Sequence, residues 1–272
     1  MTASFKGLFS LAMTAVCCVA FAEDPSADEA DRKARLQEMK RQAAEYTVTL
    51  ATEPQIKLEL HDEPLLRFDN PVGGVPDGII AMWKDGARPA VFAQVFLTRD
   101  KLWIHEGQSL ARSGFEMRNG DAVKWTPRQG AGEFRPLASA GAADKSPPRR
   151  LVQMKRIAAQ FSATDEFKIR LSDVEATHNE LRLLPTPLYR YADREQDVQD
   201  GAVFAFVHGT DPELFLVLEY STGGKDAGWH YTLVPMTCWA VAAKHNGKEV
   251  WSAPERLKSK PNENYFVWVY RK

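Results

Sequence analysis

The chain has little of what usually announces a chemistry. Its 272 residues hold three cysteines, and two of them, Cys17 and Cys18, fall inside one apolar N-terminal run. No G-x-S-x-G elbow is present; Gly107-Gln108-Ser109-Leu110-Ala111 comes nearest but lies in a strand-rich stretch rather than at a strand-to-helix turn. There is no P-loop and no G-x-G-x-x-G. The six histidines (61, 105, 178, 208, 230 and 245) show neither H-x-H nor H-E-x-x-H spacing, so the spacing points to no metal ligand, no cofactor and no catalytic residue. An excess of either charge is also missing: 35 Lys+Arg against 36 Asp+Glu leave a net charge of -1, which excludes a strongly basic nucleic-acid binder. With 44% apolar and 26% charged residues the chain is neither disordered nor fibrous.

Export is written at the start. Lys6 supplies a positive end, Leu8–Val19 an apolar run too short for a membrane span, and Ala20-Phe21-Ala22 an A-x-A cleavage site. Cleavage after Ala22 leaves 272 − 22 = 250 residues and one cysteine, Cys238. One thiol makes no internal disulfide, so the mature chain is expected to rest on its core alone, periplasmic or secreted, and not transmembrane.

What is present is recurrence. Between the stretches Arg35–Thr47 and Arg150–Ser162, seven of 13 positions are identical. The match resumes, in order, at Pro64-Leu65-Leu66-Arg67-Phe68 with Pro187-Leu188-Tyr189-Arg190-Tyr191, at Asp77-Gly78 with Asp200-Gly201, and at Asn119-Gly120 with Asn246-Gly247. Trp125 pairs with Trp251. Hydrophobic periodicity alone would repeat apolar positions but not Pro, Arg, Asp-Gly and Asn-Gly in sequence. The chain reads as an internal duplication.

Leu36, Met39, Ala43 and Tyr46 recur at helical spacing, as do Leu151, Met154, Ala158 and Phe161. Ser26-Ala27-Asp28-Glu29 carries the capping-box pattern. Short β-rich runs follow each helix, joined by turn residues such as Asp85-Gly86 that favour tight hairpins. Val203–Val207 and Phe215–Leu218 are apolar on both faces and need cover on both. The expected fold class is α+β: two repeated units, each an N-terminal helix on an antiparallel β-meander, related by a pseudo-twofold. One continuous curved antiparallel sheet with two helices is the alternative. The boundaries are a leader at 1–22, a first unit at 23–128, a linker at 129–148 and a second unit at 149–272.

The candidate binding residues are the recurrent polar pairs Arg67/Arg190 and Asp77/Asp200, and the neighbours His105-Glu106 and Trp229-His230. A recurrent arginine and aspartate can equally pair with each other. Trp103, Trp125, Trp229 and Trp251 could stack on sugar rings, although sheet tryptophans more often belong to cores.

The blocks Leu181-Arg182-Leu183-Leu184-Pro185, Pro187–Tyr191, Asp200–Val207 and Gly209-Thr210-Asp211-Pro212-Glu213, with Arg150 through Phe161, resemble a family of uncharacterised exported bacterial proteins. That resemblance covers nearly the whole mature chain and implies export, but no activity, cofactor or site residue. The expected function is a non-catalytic envelope binding or structural module, with a small molecule, a glycan or another envelope component as partner. The alternatives are an extracytoplasmic hydrolase with a carboxylate/His site between the repeats, or a periplasmic lipid or ligand carrier.

Overall fold

A computed structural model describes residues 25–128, 133–169, 173–223 and 227–271. The leader expected at residues 1–22 lies outside the described residues, as do residues 129–132 of the stretch expected as a linker. Helix α1 (Pro25–Ala44) runs into β1 (Tyr46–Leu50), followed by β2 (Glu59–Leu60), β3 (Leu66–Asn70), β4 (Val75–Asp85), β5 (Arg88–Leu97), β6 (Trp103–Ser109), β7 (Phe115–Asn119) and β8 (Ala122–Trp125). Then come β9 (Arg135–Pro136), a 3-10 turn (Ala138–Ala140) and α2 (Pro147–Ala158). The remainder is β10 (Phe161–Phe167), β11 (Thr177–Leu183), β12 (Tyr189–Asp193), β13 (Val198–His208), β14 (Asp211–Ser221), β15 (Gly228–Pro235), β16 (Ala240–His245), β17 (Lys248–Ala253) and β18 (Tyr265–Val269). α1 already begins at Pro25, so position 26 falls inside the helix.

These strands form three antiparallel sheets, of nine, six and three strands. Among the described residues, strands far outweigh the two helices and the 3-10 turn. The expected α+β fold of two repeated helix-plus-meander units is therefore corrected to a mostly-β protein of large curled sheets with two helices. The alternative of one continuous sheet is not formed either. One reason is local. Tyr46 and Phe161, read above as the ends of helical stripes, are the first residues of strands. Tyr46–Leu50 and Phe161–Phe167 then alternate buried and open positions with the period of a half-buried strand. The other reason is packing, because sheets apolar on both faces bury against each other.

That packing follows the two-residue period. Ile79, Ala81 and Trp83 of β4 pack with Met39 and Ala43 of α1, whereas Ile80 and Met82 point the other way. In β13, Ala202, Phe204 and Phe206 pack with Met154, Ile157 and Ala158 of α2. Val203, Ala205 and Val207 join Ile80, Met82 and Phe92 in a core between the two large sheets. Phe92 meets Phe215 there edge to face, with ring centroids 4.9 Å apart.

The sheets also exchange their edges. β9, which follows β8 in the chain, pairs with β15, and β18, which follows β17, pairs with β6. The stretch read as a linker thus contributes a strand. The recurrent Asp-Gly pairs are not turns but lie within β4 and β13. Each glycine faces an aromatic ring across the ladder: a Cβ on Gly78 would stand 2.5 Å from Phe68 and one on Gly201 2.6 Å from Tyr191. Asn246-Gly247, by contrast, is a tight turn, with φ of 49° and 79°. Among the described residues no helix is long and apolar enough to cross a membrane.

Candidate functional site

The recurrent polar residues form two matching ion-pair clusters. Arg67 donates through Nε to Asp77 Oδ1 at 2.8 Å and through Nη2 to Asp77 Oδ2 at 2.6 Å; Arg35 of α1 donates to the same Oδ2 at 2.8 Å. Arg190 and Arg150 hold Asp200 in the same way, with bonds of 2.9, 2.7 and 2.8 Å. Arg67 also donates to the Arg32 carbonyl and Arg190 to the Pro147 carbonyl. Both clusters fasten a helix to its sheet. Burial raises the Asp77 carboxyl, but the bonds from Arg67 and Arg35 outweigh it and leave the group below the ordinary range.

His105 and Glu106 are neighbours on β6 and point to opposite faces. His105 is wholly buried, its Nδ1 accepting from the Tyr46 hydroxyl at 2.8 Å and its Nε2 donating to Gln42 Oε1 at 2.9 Å. Burial lowers its pKa to about 3, so it is a neutral core imidazole. Glu106 accepts a 2.6 Å bond from the Tyr265 hydroxyl; burial pushes its carboxyl up to about 8. Trp229 is buried in the α2 core, while His230 lines a cleft with Arg88 and Arg112.

The structure assembles a cluster that spacing alone did not reveal. Asp165 (β10), His208 (the last residue of β13) and Glu213 (β14) each present a ligand atom, and these atoms all lie within 4.8 Å of one another. Asp165 is 1% exposed and Glu213 3%, while His208 reaches solvent. Asp165 Oδ1 accepts from the Asn179 amide at 2.8 Å. Its Oδ2 faces His208 Nδ1 at 3.7 Å, and neither atom has a hydrogen-bond partner. Asp211, two residues before Glu213 on β14, repeats the pattern: Oδ2 accepts from the Asn70 amide at 3.1 Å and Oδ1 is unpartnered. Burial raises all three carboxyls, Asp165, Asp211 and Glu213, against the opposing hydrogen bonds from Asn179, Asn70 and Thr237, and among the described residues none of the three pairs with an arginine or lysine.

Two carboxylate oxygens and an imidazole nitrogen suit a divalent transition metal with ligand bonds of about 2.0–2.2 Å. Amides that pin one carboxylate oxygen and aim the other are the usual outer partners of metal ligands. The cluster is absent from the first half of the recurrence, where Leu50, Asp85 and Ala90 stand opposite Asp165, His208 and Glu213. The sequence did carry one signal. Asp211 and Glu213 precede Leu214–Leu218, a run apolar on both faces, and two acids at the head of such a run need a partner. No protein-family model, curated protein or solved structure matches the chain, so the reading of this site rests on its geometry.

Proposed function

We propose that the protein is an exported binding module that holds a divalent transition-metal ion between Asp165, His208 and Glu213, with Asp211 beside it. One observation carries this reading: the free Oδ2 of buried Asp165 faces the unpartnered Nδ1 of His208, the buried Glu213 carboxylate lies within 4.8 Å of both, and among the described residues none of these carboxylates has an arginine or lysine ion pair. Ionised carboxylates out of water are costly unless a cation compensates them, and a metal ion is the compact way to supply one. Mixed oxygen and nitrogen donors favour Zn2+ or Mn2+ over Mg2+. The apolar run and A-x-A site within residues 1–22 support the export part of this reading.

The test is calorimetric titration of the chelator-treated protein with Zn2+, Mn2+ and Mg2+. One saturable Zn2+ or Mn2+ ion per chain is expected, with Mg2+ weak. At a free ion concentration of 100 times Kd the fold should gain about 2.7 kcal/mol, read as a rise in Tm. Asp165→Asn and His208→Ala should each abolish binding with the circular dichroism unchanged. Absence of binding by the unaltered protein, or binding unaffected by both substitutions, would refute the site.

A further inference from the structure

We infer that a second site, in the cleft walled by β6, β15 and β17, binds a small polyhydroxy carboxylate: a single sugar acid held by its carboxylate, its hydroxyls and one face of its ring. The cleft measures about 330 Å3 and is lined by Gln108, Arg135, Trp251, Arg256 and Asn264, with Glu133 at the rim. That volume is at the small end of ligand pockets, which run from about 300 Å3, and suits one ring rather than a chain.

Two side chains in the wall are incompletely satisfied. Gln108 is 2% exposed; its Nε2 is spent on the Ser109 carbonyl at 3.1 Å, and its Oε1 has no partner. Arg256 is half-buried and stacks over the Tyr265 ring at 4.7 Å, yet its Nε is buried without an acceptor. Among the described residues its guanidinium makes no ion pair. A buried acceptor wants a hydroxyl donor, and a half-buried guanidinium wants a carboxylate that can take two of its N–H groups. Arg135 keeps one guanidinium nitrogen on the Val250 carbonyl at 2.6 Å and adds positive charge to the same wall. Trp251, half-buried in β17, offers the apolar face on which a sugar ring packs. Glu133 at the rim disfavours a second carboxylate, which again selects a monoacid.

The site is independent of the metal centre, and the experiment keeps the two apart. Glucuronate is titrated into the full mature protein, followed by calorimetry and by tryptophan fluorescence, with glucose, acetate and an acidic trisaccharide as comparators. Saturable glucuronate binding is expected, at least tenfold tighter than glucose or acetate, and equal before and after chelator treatment. Arg256→Gln should weaken it tenfold or more. Ser252→Tyr, which fills the cleft from an exposed strand position and leaves the core untouched, should do the same. The inference is overturned by no saturable binding, by glucose or acetate matching glucuronate, or by full binding in both variants. Tighter binding of the trisaccharide overturns the single-ring reading. Loss of binding on chelation overturns the assignment by moving the ligand to the metal centre.

Discussion

Glu106 and His105 sit side by side in sequence yet carry opposite pH liabilities, because burial acts on an acid and a base in opposite directions. The folded Glu106 carboxyl stands at about 8 against an ordinary 4.5. Its contribution is fully present below about 4.5 and is lost as pH rises through about 8, since the unfolded chain gives up that proton more readily. His105, at about 3 against 6.5, contributes stability above 6.5 that is lost as pH falls toward 3. Glu106→Gln keeps an acceptor for the Tyr265 hydroxyl and removes the titration. Urea midpoints at pH 5 and pH 9 should show the unaltered protein losing stability relative to E106Q, at roughly 1.4 kcal/mol for each unit by which the pKa is displaced. Parallel pH profiles would show that the carboxyl is not held protonated by the fold.

The helices depend on ion pairs as much as on their apolar stripes. Arg35 lies on α1 and Arg67 on β3, and both grip Asp77 of β4, whose side chain is 4% exposed. Asp77→Asn leaves two guanidinium groups against a neutral amide. Removing one member of a buried pair costs about 3–5 kcal/mol, and the arginines here are partly hydrated, so a loss of about 3 kcal/mol is expected. It should appear as a lower urea midpoint with faster amide exchange in α1. An effect under about 1 kcal/mol would mean that the cluster is ornamental. Met39→Ala tests the apolar side of the same helix: its side chain is wholly buried against β4 and β5, so about 2–5 kcal/mol should be lost. These elements also show what a period can and cannot tell. The i, i+3, i+4 stripe locates both helices, and β-rich runs between turn residues locate most strands. The stripe continues by chance into Tyr46 and Phe161, because the first inward residue of a following strand occupies the next apolar position.

Across the whole molecule, the two large sheets share one apolar core and trade edge strands. Arg88 of β5 is paired twice with Glu219 of β14, at 2.6 and 3.0 Å, deep in that junction, and the Tyr191 hydroxyl donates to the same carboxylate at 2.7 Å. The Gln94 amide crosses as well, donating to the carbonyls of Pro212 and Met236. A fragment of residues 23–128 would expose Ile80, Met82 and Phe92 and leave the β6 edge open, and a fragment of residues 133–272 would expose the facing strands. Both should aggregate or remain unfolded, and the intact chain should melt in a single calorimetric transition with equal van't Hoff and calorimetric enthalpies. Two resolved transitions, or a soluble folded half, would contradict the shared core.

The amino-acid sequence by itself determined the charge balance, the two helices, most strands, the tight Asn246-Gly247 turn and the recurrence of Arg67, Asp77, Arg190 and Asp200. All of these are local patterns, set by side-chain period, backbone freedom or residue identity within a few positions. Only the tertiary structure decided that the sheets outweigh the helices, that β9 and β18 exchange edges, and that the recurrent charges are fasteners. It alone brought Asp165 to His208 and Glu213, because strands distant in sequence converge only where sheets curl and pack. Burial decided the rest: the same carboxyl and imidazole groups are ordinary in an open chain and become unusual once water is withdrawn from them.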